Sequence, residues 1–134
     1  MGSFGLAQQD PKKPSILDYP KIQAAQMAGQ TRAVGLMRSK RFEEAETLLR
    51  LMAEKFPQSP TTRYNLACLQ AIREQVDEAF ENLEKAVELG FRNIAHIKND
   101  PDLANLRKDE RFAEVLKIAG EPFDGSVWPS FPKP

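Results

Sequence analysis

The chain of 134 residues is 41% hydrophobic and 28% charged, the proportions of an ordinary globular protein and not of a fibrous or low-complexity one. Its 19 basic and 19 acidic residues cancel, with a pI near 6.6, so no net field steers it toward nucleic acid or an anionic membrane. Single copies of cysteine (Cys68) and histidine (His96) exclude a disulfide framework and a Cys/His zinc site, and no apolar run approaches the ~18 residues that cross a bilayer.

Met1-Gly2-Ser3 has the form of an expression-vector scar. Gly5-Leu6-Ala7 before Gln8-Gln9-Asp10 sets small residues where a signal peptidase cuts, which favours a periplasmic or secreted protein over a cytoplasmic one. Residues 1–18 hold Pro11 and Pro14 with few paired apolar positions and read as an extended amino-terminal arm; the helical domain is predicted over 19–120. Asp18-Tyr19-Pro20 opens it, because proline near the first helical position is preorganised and loses no needed donor. A first helix is predicted over Lys21 to Ser39, with Ile22, Ala25, Met27, Ala33, Val34 and Leu36 or Met37 at three- and four-residue spacings. A second covers Arg41 to Lys55, with Phe42, Ala45, Leu48, Leu49 and Met52 on one stripe, and stops before Phe56-Pro57.

Ser59-Pro60 supplies a capping hydroxyl and a first-turn proline for a third helix through Tyr64, Leu66, Ala67, Leu69 and Ile72, which ends in the polar turn Arg73-Glu74-Gln75. A fourth runs from Val76 through Ala79, Phe80, Leu83, Ala86 and Val87 to Leu89, with Gly90 as its left-handed stop. Beyond Gly90 the pattern loosens. Asp100-Pro101-Asp102-Leu103 predicts a short capped helix over Leu103 and Leu106, and Asp109 caps a last one through Phe112, Val115, Leu116 and Ile118 to Gly120. The tail 121–134 holds four prolines with Phe123, Trp128 and Phe131, too proline-rich for a helix and too aromatic for a solvated linker, so it should lie extended along a surface.

These elements carry a period of 34 residues: Ala33 to Ala67, Phe42 to Val76, Ala45 to Ala79 and Leu49 to Leu83. Such a period signals stacked units, each burying its apolar face against the next. The residues Asn65-Leu66-Ala67, Asp77-Glu78-Ala79 and Leu83-Glu84-Lys85-Ala86-Val87-Glu88-Leu89 resemble the tetratricopeptide repeat (TPR), over 60–91 most closely, then 26–57, then 92–119 as a degenerate capping unit of the bacterial type. The resemblance implies an all-α fold, a right-handed superhelix of stacked antiparallel helix pairs with about five to seven helices. Ala33, Ala45, Ala67, Ala79 and Ala86 would then be small where paired helices approach, with Phe42, Leu49, Leu66 and Leu83 between them. Three departures stand out: Phe91 replaces the closing proline present as Pro57, Met52 stands where a small residue is usual, and Gly29 and Arg32 stand where large apolar ones are. A plain helical-hairpin bundle without superhelical stacking is the alternative.

In this family the first helix of each pair lines a concave groove that holds peptides. The resemblance places Gln30, Thr31, Val34 and Arg38 there from one unit, and Tyr64, Asn65, Cys68 and Ile72 from the next. Asn65 would bond the main chain of a bound peptide or, alternatively, the neighbouring helix. Gln30 and Val34 stand where a basic clamp for a terminal carboxylate would need Lys and Asn, which disfavours a chaperone-tail clamp. Cys68, on the helical pattern beside Leu66 and Leu69, also reads as a small buried hydrophobe.

His96, Asn99, Asp100 and Asp102 bring one imidazole near carboxylates, the minimum for acid–base chemistry. The two aspartates are better explained as helix caps, and no nucleophile, phosphate loop, calcium loop or metal motif accompanies them, so neither catalysis nor a cofactor is expected. The expected role is a non-catalytic scaffold gripping a protein or peptide, either as a subunit of a larger complex or homo-oligomer or as a free-standing adaptor. Trp128 and Phe131 are the expected anchors of the tail.

Overall fold

Hydrophobic periodicity and capping residues partition the chain into helices and turns, and the computed structural model, which describes residues 15–121, is all-helical over that span with no strand. The helices are α1 (Tyr19–Arg38), α2 (Phe42–Lys55), α3 (Pro60–Ile72), α4 (Val76–Glu88), α5 (Ile94–Asn99) and α6 (Glu110–Ala119), with 3-10 turns at Ile16–Asp18 and Pro101–Leu106. Local chemistry sets the boundaries. Ser59 Oγ accepts from the Thr62 N–H at 3.3 Å ahead of Pro60, and Gly90 ends α4 at φ 117°. Asp109 accepts from the Arg111 N–H at 2.9 Å, and the Arg111 guanidinium beside it holds its carboxyl down at about 2.

Residues 1–14 of the predicted amino-terminal arm lie outside the described residues. Ile16–Asp18 forms a 3-10 turn capped by Ser15 and continuous with α1, so the last residues assigned to an extended arm are helical. Helix α5 was not anticipated: Asn93 Oδ1 accepts from the His96 N–H at 3.0 Å and starts six residues too short to display a period. The tail anchors Trp128 and Phe131 lie outside the described residues.

Three-residue links between α1 and α2 and between α3 and α4 force each packed pair to run antiparallel. Helix α3 packs on both α1 and α2, the Pro101–Leu106 turn packs on α3, and α6 packs on α4. The 34-residue spacing reappears as burial: Ala33 and Ala67, Ala45 and Ala79, and Leu49 and Leu83 are all at 0% exposure. It reappears in the backbone as well. Lys40 and Glu74, also 34 apart, both sit in the left-handed region at φ 61°. Around each, the same pair of closing bonds forms: Lys40 N–H to Met37 O and Arg41 N–H to Leu36 O, then Glu74 N–H to Ala71 O and Gln75 N–H to Gln70 O.

A left-handed non-glycine residue costs ~1–2 kcal/mol, more than the ~0.4–1 kcal/mol of unfolded-chain entropy that glycine adds. Lys40→Gly and Glu74→Gly are therefore each expected to gain about 0.5–1 kcal/mol in urea unfolding. A loss in either would mean that the side chain compensates for its backbone.

One contact explains two departures from the repeat pattern. A Cβ added to Gly29 would lie 2.7 Å from both Cε and Sδ of Met52, which is 4% exposed. The oversized residue on α2 fills the space left by the undersized one on α1.

Candidate functional site

The predicted groove residues divide into two groups. On α1, Thr31 and Arg38 are exposed while Gln30 and Val34 are half-buried; on α3, Asn65 and Ile72 are half-buried. Tyr64 and Cys68, by contrast, are only 3% and 2% exposed. They do not line an open groove, because the segment from Phe91 to the Pro101–Leu106 turn folds down over α3.

Between α1 and α3 the polar groups satisfy one another. Asn65 Nδ2 donates to Gln30 Oε1 at 2.6 Å, Gln30 Nε2 donates to Thr62 Oγ1 at 2.7 Å, and Thr62 Oγ1 donates to Ser59 Oγ at 3.1 Å. Of the two partners considered for Asn65, the neighbouring helix is the one it bonds. Beside this chain of bonds opens a cleft of about 460 Å³ lined by Gln23, Gln26, Met27, Gln30, Thr31, Ser59 and Thr61. No charged side chain lines it. Helix α1 starts at Tyr19, seven residues before the position one repeat upstream of Pro60, so ~10 Å of it overhangs the next pair at 1.5 Å per residue. The overhang and the turn before it expose Ile16, Leu17 and Tyr19, the first two at 78% and 84%, and Met27 just beyond the overhang is exposed at 71%.

On the other side of α3 lies a second cluster, centred on Asp100. Its Oδ1 accepts from the Asp102 N–H at 2.9 Å, the capping bond expected from sequence. Its Oδ2 accepts from the Tyr64 hydroxyl at 2.6 Å and the Cys68 thiol at 3.8 Å, with His96 Nε2 at 3.4 Å. The Tyr64 ring stacks on Phe91 at 4.0 Å, with His96 tilted against both. Asn105 Nδ2 donates to Ala71 O at 2.8 Å, and Arg107 ties Lys98 O to Asp100 O.

Burial raises the pKa of Tyr64 well above the usual phenol range, aided by Cys68 and Asp100, and burial with Asp100 and Asp102 does the same to the Cys68 thiol. Both groups stay protonated at neutral pH and act as donors to Asp100. Asp102 is raised by burial and by Asp100, against the opposing charge of Arg38. Cys68, Asp100 and Asp102 each place one ligand-capable atom within 4.8 Å of the others. Those Asp100 oxygens already accept a backbone amide, a phenol and a thiol, so a cation would have to displace the bonds that fasten this segment to α3. The sequence signal for the hub was present in Asp100-Pro101 as a cap. Its second duty toward Tyr64 and Cys68 was not, because these partners are 36 and 32 residues away.

No protein-family model matches the chain, and no solved structure matches it. A stretch of 60 residues is 38% identical to a chloroplastic protein of Arabidopsis thaliana. That stretch covers 45% of this chain and 18% of the plant protein.

Proposed function

We propose that the chain is a tetratricopeptide-type scaffold that holds together a larger protein assembly through the α1/α3 face and its arms. The observation that carries this reading is the recurrence, at 34 residues, of both the buried small residues and the left-handed closures at Lys40 and Glu74. Sequence repetition alone could arise in any amphipathic hairpin, whereas identical closing turns set successive pairs at a similar angle. The packing of α3 on α1, of the Pro101–Leu106 turn on α3 and of α6 on α4 supports stacking in one direction, as a superhelix requires. The uncharged cleft along α1 supports a partner bound through main-chain polar groups and apolar side chains.

The test starts by co-purifying the tagged full chain from its native source and measuring the affinity of the recovered partner. Thr31→Arg combined with Arg38→Gln alters two exposed groove positions and is expected to weaken that partner at least tenfold, with the melting temperature lowered only slightly by loss of the Arg38 charge that opposes the rise of Asp102. Trp128→Ala with Phe131→Ala reports on the tail. Loss with the first pair alone assigns a free-standing adaptor, and loss with the second alone assigns a docked subunit. A partner indifferent to both, or none bound saturably, defeats the reading.

A further inference from the structure

We propose that the side of the α1/α2 pair turned away from α3 is the contact through which two copies of this chain form a two-fold dimer, with helix α2 lying antiparallel on α2 of the second copy. This surface shares no lining residue with the α1/α3 cleft, so the proposal goes beyond the scaffold reading of that face.

The first observation is an apolar surface where the repeat supplies a polar one. Helices α1 and α2 pack on each other and on α3, and a cleft of about 500 Å³ opens beside them, walled by Arg32 and Leu36 from α1 and by Glu44, Thr47, Leu48 and Leu51 from α2. One repeat later, Gln70, Asn82 and Lys85 stand in the places of Leu36, Leu48 and Leu51. The exchange runs against burial. Gln70 is covered, at 1% exposure, and accepts from Asn82 Nδ2 at 2.8 Å, whereas Leu51 stands 48% exposed. Three leucines therefore border an open cleft where the next unit, although covered, carries an amide pair and a lysine. Leucines at a solvent-facing seam stabilise nothing until something covers them.

The second observation is that the matching seat one repeat later is already taken by α2 itself. Leu66 and Gln70 lie 34 residues after Arg32 and Leu36. Leu66 packs in one cluster with Leu49 and Met52 of α2, and Arg73 pairs with Glu46 of α2 at 3.7 Å. The leading face of a unit thus accepts this very helix within the chain.

The third observation is the order of charges. Glu44, Leu48, Leu51 and Lys55 follow one another at steps of four, three and four residues, and so share one stripe of α2, ~16 Å long at ~1.5 Å per residue. A two-fold axis crossing the stripe midway between Leu48 and Leu51 lays Leu48 on Leu51 of the second copy, and the reverse. The same axis brings Glu44 against Lys55 of the second copy, so both ends of the stripe meet an opposite charge. Parallel pairing would instead oppose Glu44 to Glu44 and Lys55 to Lys55. The bond that Glu44 makes within the chain, to Arg41, is exposed and easily exchanged. Leucine burial supplies the attraction, and the charges set direction and register. One helix of about four turns laid on another covers less than the ~1,200 Å² at which standard interfaces begin, so the dimer is expected in the micromolar range.

Sedimentation equilibrium of the full chain, followed from micromolar to millimolar concentration, is expected to fit a single monomer–dimer equilibrium. Leu51→Arg, at an exposed position, is expected to weaken dimerisation at least tenfold while the dilute chain melts where the unsubstituted one does. Glu44→Lys and Lys55→Glu each set like charges facing one another and should weaken it several-fold, whereas the two together should restore it to within about twofold, a rescue that a non-specific apolar contact would not give. A chain that stays monomeric throughout overturns the proposal. So does a dimer indifferent to Leu51→Arg, which uses another face, and so does growth beyond the dimer, which means head-to-tail stacking of open ends. Single charge changes that weaken without rescue by the pair overturn it as well, because α2 then does not meet α2 in this register. None of these readings needs a second protein, so the affinity test of the α1/α3 face is judged separately.

Discussion

Met52→Ala is expected to cost about 2–4 kcal/mol in urea unfolding, and to cost at least ~1 kcal/mol less when Gly29 is replaced by Leu in the same chain. The Met52 side chain lies over a backbone position with no side chain of its own, in the cluster formed with Ala33, Leu36, Ala45, Leu49, Leu66 and Leu69. Truncating it leaves a void bordered by helix backbone, which relaxes little. Gly29→Leu alone meets Met52 Cε and Sδ, the far end of a flexible chain that can be pushed aside, and gains the ~1 kcal/mol by which glycine disfavours a helix interior. Single effects therefore mix packing with propensity, and only the double-mutant cycle isolates the exchange. Additivity within ~0.5 kcal/mol would show that the two departures from the repeat pattern are independent.

That pair illustrates what was legible in the sequence. Helix limits followed from local chemistry: Ser59-Pro60, Asp100-Pro101, Asp109 and Gly90 each act within a few residues, and each ends or starts an element where it was expected to. The all-helical class followed from the same signals. Gly29 and Met52 were each visible as anomalies, but their compensation depends on two helices meeting, which a one-dimensional pattern does not encode. Helix α5 escaped because six residues span less than two turns and leave no period.

The groove face was legible only in part, for a similar reason. Position within a repeat identifies which side of α3 Tyr64 and Cys68 occupy. Whether that side is open depends on what the segment after Gly90 does, and there the repeat is degenerate. Phe91 in place of a closing proline turns out to matter: its ring covers Tyr64 and begins the segment that buries it. For Asn65, the sequence offered a peptide or a helix as partner, and Gln30, equally a predicted groove residue, is the one that it meets.

Asp100→Ala is expected to cost about 2–4 kcal/mol in urea unfolding. Two losses combine. The Pro101–Leu106 turn loses its capping acceptor for the Asp102 N–H, worth ~0.5–2 kcal/mol. Inside, the hydroxyl of Tyr64 and the thiol of Cys68 lose their acceptor in a site with almost no water access, at ~1–3 kcal/mol for a stranded buried donor. Asp100→Asn keeps one oxygen and should cost less than half as much, since the amide can cap the turn and present its nitrogen to the Tyr64 oxygen. Tyr64→Phe removes the stranded hydroxyl, so the cost of Asp100→Ala measured in that background should fall by about 1 kcal/mol or more. Hydrogen exchange supplies the local readout: amides of α5 and the Pro101–Leu106 turn should lose protection in Asp100→Ala while those of α1 and α2 keep theirs, because the latter belong to a separate cluster. A uniform loss across the chain, or no attenuation by Tyr64→Phe, would mean that Asp100 only caps its own turn and does not latch the last unit onto α3.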